Sequence, residues 1–121
     1  MMNRQRSRHT PVLVIGYSRI GNIRHIVEKL IDFKVKNIYV AIDHSRNSEI
    51  NRHQKTLVGE LRNLASTNGC NIQVWLREKN HGVGAGIISA LDWFFKMNKL
   101  GIVLEDDLEF EDSFLDFCEQ G

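Results

Sequence analysis

The chain has 121 residues, 42% of them apolar and 26% charged, with a formal net charge of +1. That is enough for one globular domain with its own core and short for an enzyme with two substrates; it excludes a low-complexity or disordered chain. The small net charge hides an asymmetry: all 16 lysines and arginines precede Glu105, whereas residues 105–121 hold eight acids and no base. A basic body with an acidic tip suits a polyanionic ligand bridged by a metal cation and gives no reason to expect nucleic acid as a partner. A solvated acidic loop is the plainer alternative.

In chain order, residues 1–10 read as a flexible basic N-terminus. They carry Arg4, Arg6 and Arg8 but no apolar region behind them, so they do not form a signal peptide. Such a start can touch an anionic membrane surface from the periphery, although three arginines also describe a solvated terminus. Four apolar runs then read as strands, over residues 11–16 (PVLVIG), 37–42 (NIYVAI), 71–76 (NIQVWL) and 101–104 (GIVL). They are nearly continuous rather than alternating, the mark of strands covered on both faces. Helical stripes lie between them. Ile23, Ile26, Val27, Leu30 and Ile31 form the first; Ile50, Leu57, Leu61, Leu64 and Ala65 the second; Ile87, Leu91, Phe94 and Phe95 the third. Gly69 is placed to stop the second helix. A last helix is expected from about Asp112 and Ser113, burying Phe114 and Phe117. No stretch approaches the length of a membrane span. Cys70 and Cys118 have no paired spacing and read as reduced thiols, which implies a cytoplasmic protein.

The order β-α-β-α-β-α-β-α predicts an α/β fold with a mostly parallel sheet and right-handed crossovers. Ligands in such sheets bind beyond the carboxyl ends of the strands, so candidate residues follow each run. Glu105, Asp106 and Asp107 come after the fourth. Like charges gathered at a strand end need compensation, which Mg²⁺ or Mn²⁺ held by one or two carboxylates and by substrate phosphates supplies. An exposed acidic turn ahead of a helix is the alternative. Asp43, after the second run, suits a base or ribose hydroxyl, or equally a turn cap. Arg19, in the stretch Tyr17-Ser18-Arg19, is placed to meet phosphate or uracil, or is simply solvated. Arg77, Lys79 and Asn80 precede the glycine-rich stretch from Gly82 to Gly86, which opens the third helix and lets backbone approach a ligand. That stretch is not a dinucleotide fingerprint, which needs a different spacing and sits after the first strand of its unit. His44 reads as a surface-loop residue. Trp75, Trp93, Phe94 and Phe95 read as core.

Taken together, PVLVIGYSR, NIYVAIDHSR, LREKNHGVGAGIISALDWFF and GIVLEDDLEF resemble the start of bacterial nucleotide-diphospho-sugar transferases of GT-A type. The acidic triplet is also similar to that of the N-acetylglucosaminyltransferase I family. The resemblance runs over residues 11–121 and implies a truncated Rossmann-like three-layer α/β/α domain, the nucleotide-sugar-binding N-terminal half of a glycosyltransferase. It implies Asp107 as the metal ligand of a D-x-D-type motif, with Glu105 and Asp106 toward the ribose or nucleotide. Asp43 would meet the nucleobase, bordered by Tyr17, Ser18 and Arg19. Arg77 and Asn80 would place the diphosphate and ribose, with Gly82 beside them. The implied cofactor is Mn²⁺ or Mg²⁺, the donor a UDP-linked sugar and the acceptor a hydroxyl on a glycan or similar molecule. Inversion is the implied outcome, with the catalytic base beyond residue 121, which leaves this length of chain inactive by itself. Two features depart from the pattern: Ile20 stands where relatives often carry proline, and Ala85 where a basic residue is common. A non-catalytic nucleotide-binding or regulatory α/β module is the alternative. Phosphoacceptor receiver domains fit poorly, because their acidic pair follows the first strand.

Overall fold

A computed structural model describes residues 9–107. The expected final helix with Phe114 and Phe117, together with Cys118 and the arginines of the N-terminus, lies outside the described residues. Seven elements alternate: β1 (Val12–Gly16), α1 (Ile20–Asp32), β2 (Asn37–Ile42), α2 (Ser48–Asn68), β3 (Asn71–Leu76), α3 (Val83–Met97) and β4 (Ile102–Glu105). The four strands form one wholly parallel sheet in the order β3-β2-β1-β4.

The strand registers sort the apolar residues onto two faces. Val12, Ile38 and Ile102 align across the sheet, as do Val14, Val40 and Leu104. This face packs on Ile23, Ile26, Val27 and Leu30 of α1 and on Leu57 and Leu61 of α2. The opposite face presents Leu13, Tyr39 and Ala41 to Ala90 and Phe94 of α3. Tyr39 meets Phe94 and Trp93 edge-on, with ring centroids 5.1 and 5.5 Å apart. The result is a three-layer α/β/α arrangement. The chain steps from β1 to β3 in one direction with helices on one face, then returns past β1 to β4 with its helix on the other. All three crossovers therefore share one hand, as a right-twisted sheet requires.

Helix ends follow local chemistry. Asn47 accepts hydrogen bonds from the N–H groups of Glu49 and Ile50 and caps α2. Gly69 closes that helix in the left-handed conformation at φ 64°, as its position predicts. Gly16 is fixed by packing, because a Cβ there would stand 2.5 Å from Cδ1 and 2.8 Å from Cγ1 of Ile23.

Two expectations are corrected. Phe95, read as core, is 44% exposed: a helix turns by about 100° per residue, and Ala90 and Phe94 already occupy the sheet-facing line. Nor is β3 covered on both faces. It is an edge strand with Asn71 and Gln73 exposed, and apolar residues hide the alternation because Trp75 leans onto Trp93 at 5.4 Å. Among the described residues no helix is long and apolar enough to cross a membrane.

Candidate functional site

The strand order reverses between β1 and β4, where a parallel sheet opens a crevice at its carboxyl ends. A cavity of about 450 Å³ lies there, within the range of small-molecule clefts. Nine of the ten residues expected at the site line it: Tyr17, Arg19, Asp43, Arg77, Asn80, Gly82, Glu105, Asp106 and Asp107. Ser18 does not; it is exposed and gives its carbonyl to the Ile20 N–H at 2.9 Å. The floor is apolar, built from Ile15, Ala41, Val83 and Ile87 with Gly16 and Gly86. Apart from Gly86, in the glycine-rich stretch, these residues carry no signal in the sequence, where they belong to strand and helix patterns.

The acidic residues fall into two kinds. Asp106 is buried. Its Oδ2 accepts the Tyr17 N–H at 3.0 Å, its Oδ1 lies 3.4 Å from Arg19, and its carbonyl accepts from Asn22. The α1 N-cap residue makes no capping bond of its own, so Asp106 supplies negative charge at the amino end of that helix from β4. Asp43 does the same for α3. Its Oδ1 accepts from the N–H groups of His44 and His81, both at 3.0 Å, and its Oδ2 from Gly82 N–H at 3.1 Å. The turn-cap alternative for Asp43 is thus the contact present in the structure. The sequence did not show that Asp106 has the equivalent role. The side chains of Glu105 and Asp107 are exposed and make no hydrogen bond or ion pair among the described residues. Strand alternation explains the split: Glu105 pairs in register with Ile15 on the α3 side, and Asp106 turns to the α1 side.

The bases divide similarly. Arg19 is largely solvated, with a side chain 60% exposed. Arg77 is 3% exposed. Its guanidinium carbon stands 3.9 Å from the Trp75 ring centroid, and Nη2 donates to the Gly86 carbonyl at 3.0 Å. Its Nε and Nη1 are buried with no acceptor among the described residues. Burial pulls the guanidinium's pKa below its ordinary value, while the Asp43 carboxylate opposes that shift. It remains a cation at neutral pH. Asn80 donates to the His44 carbonyl at 2.8 Å, which holds the β3–α3 loop against the loop after β2. His44, read as a surface residue, is half-buried with Nδ1 3.3 Å from the Arg77 carbonyl.

Gln54 is a site residue that the sequence pattern conceals. It stands inside the apolar stripe of α2, fully buried, and donates to the carbonyls of Tyr17 and Asp43 at 2.7 and 2.8 Å. The only sequence signal was a polar residue interrupting an i, i+4, i+7 apolar series.

Four carboxylates and two guanidiniums line the cavity, so its wall is net negative. A phosphate-bearing ligand is repelled there unless a cation accompanies it. Among the described residues no group of three or more His, Cys, Asp or Glu side chains is placed to hold a metal. Among the described residues the exposed Glu105 and Asp107 have the chemistry to share a cation with a ligand's phosphates. Comparison with protein-family models, with curated proteins and with solved structures finds no match.

Proposed function

We propose that this cleft binds the nucleotide-diphosphate part of a sugar donor, and that the domain is the donor half of a metal-dependent glycosyltransferase of GT-A type. The observation that carries the reading is a pair of carboxylates with no partner among the described residues, Glu105 and Asp107, on the rim of a cavity whose opposite wall holds the buried Arg77. Asp43 and Asp106 keep the loops in place, which leaves Glu105 and Asp107 for a ligand. Arg77 supplies fixed positive charge on the other side, beside the amino end of α3 that Asp43 holds. The apolar floor suits the ring of a base or sugar. A Mg²⁺ or Mn²⁺ ion bound with the diphosphate would offset charge on it as it leaves.

In this reading the transfer to a hydroxyl acceptor needs a general base, and no residue among those described is assigned that role. Calorimetric titration with UDP-sugars, with and without Mn²⁺, tests the proposal. Saturable binding that needs the metal and is lost in Asp107→Ala supports it, and absence of binding by folded protein sinks it. Binding without any sugar transfer, once acceptors are supplied, would favour the non-catalytic nucleotide-binding module instead.

A further inference from the structure

We propose that Gln54 is the positioning residue of the cleft, joining its two walls through a single buried amide; the consequence for ligand binding rests on the donor-site reading above. A primary amide offers two donors and two acceptor lone pairs, and burying it is unfavourable unless they are met. All four are met here. Nε2 donates to the carbonyls of Tyr17 and Asp43, and Oε1 accepts from Ser45 N–H and from Asn51 Nδ2, both at 3.1 Å. A leucine at this position would fit the apolar stripe of α2 as well as its neighbours do, so volume does not explain the glutamine.

The two carbonyls it holds belong to the first residues after β1 and β2. Each of those residues in turn holds a wall. Tyr17 donates its N–H to Asp106, at the β4 side, and the Asp43 carboxylate grips the N–H groups of His81 and Gly82, at the α3 side. One amide therefore sets how far the acidic rim stands from the amino end of α3. A side chain with the same shape and no donors cannot do so: in Gln54→Glu a carboxylate would face two carbonyl oxygens.

The test is amide hydrogen exchange on the ¹⁵N-labelled full chain carrying Gln54→Met or Gln54→Glu, with UDP-sugar affinity measured alongside. The inference expects the N–H groups of Tyr17, His81 and Gly82, none of them bonded to Gln54, to exchange about tenfold faster or more in both variants. Val14 and Val40, in the strands below, should keep wild-type rates. Affinity should fall by about tenfold or more, since small displacements of a binding wall are costly to affinity. Faster exchange confined to Ser45, the direct partner, would overturn the inference. So would uniform acceleration that includes Val14 and Val40, which would make Gln54 a general stability element. If wild-type protein binds no UDP-sugar, the donor-site reading fails, and the exchange pattern still decides the role of Gln54.

Discussion

Asp106 and Asp107 are neighbours of identical chemistry, and the structure predicts opposite consequences for removing them. In Asp106→Ala the half-buried Tyr17 N–H loses its acceptor. An unmet N–H of this kind costs about 1–3 kcal/mol. Loss of negative charge at the amino end of α1 adds about 0.3–1 kcal/mol. The Arg19 contact adds little, because at 3.4 Å and 60% side-chain exposure it is a screened surface pair. For a domain of this size about 1 kcal/mol corresponds to roughly 4 °C, so Asp106→Ala should melt about 5–16 °C below wild type. Asp106→Asn keeps an acceptor for Tyr17 and should stay within about 1 kcal/mol of wild type. Asp107→Ala removes an exposed carboxylate with no partner among the described residues and should shift stability by no more than about 0.5 kcal/mol. Its effect should fall on metal-dependent ligand binding. Paired thermal melts and calorimetric titrations of the three variants measure both quantities. The division of labour is refuted if Asp107→Ala melts as low as Asp106→Ala, or if Asp106→Ala melts with the wild type.

Arg77→Met removes two buried nitrogens that have no acceptor among the described residues, together with one hydrogen bond and the Trp75 contact. These opposed effects are about 1–3 kcal/mol each, so the urea midpoint should move little while UDP-sugar affinity drops. A large loss of stability with unchanged affinity would make Arg77 purely structural. Gly16→Ala drives a Cβ into Ile23 and should destabilise by about 1–3 kcal/mol in urea unfolding, with partial recovery when Ile23→Val deletes the clashing Cδ1. Burial raises the Cys70 thiol's pKa, against the lowering pull of Lys36. The unfolded chain therefore ionises first, and stability from this group is lost as pH rises past the ordinary thiol value. Peptide-resolved alkylation should show its thiolate forming at higher pH in folded protein than in urea, and coincident profiles would contradict this.

The strands and helices were legible because buried parallel strands and amphipathic helices write their periods directly into the chain. Residues 37–42 and 71–76 form strands over those bounds, β1 begins one residue later than its run, and β4 is displaced by one residue. Position after a strand was enough to gather nine of the ten candidate residues at one cavity, since a parallel sheet brings all its carboxyl ends together. What each carboxylate does was not legible. Tyr17 and Asp106 are 89 residues apart, and Asp43 and Gly82 are 39 apart. Those pairings depend on the β3-β2-β1-β4 order, which local pattern does not encode. Gln54 was hidden for a related reason: a buried amide is recognisable only once the carbonyls it meets are in place. Arg77 looked like any loop arginine until Trp75 and α3 enclosed it.

The central claim is that a nucleotide diphosphate sits between the acidic rim and the amino end of α3. Amide chemical shifts of the ¹⁵N-labelled chain, followed while UDP is added in the presence of Mg²⁺, test it most directly. Saturable shifts centred on Tyr17, Gly82, Gly84 and Asp107, and lost when Mg²⁺ is removed, are the predicted result. Shifts that never saturate, or that centre elsewhere, such as the crevice around Lys36 and Cys70 at the other end of the sheet, would contradict it.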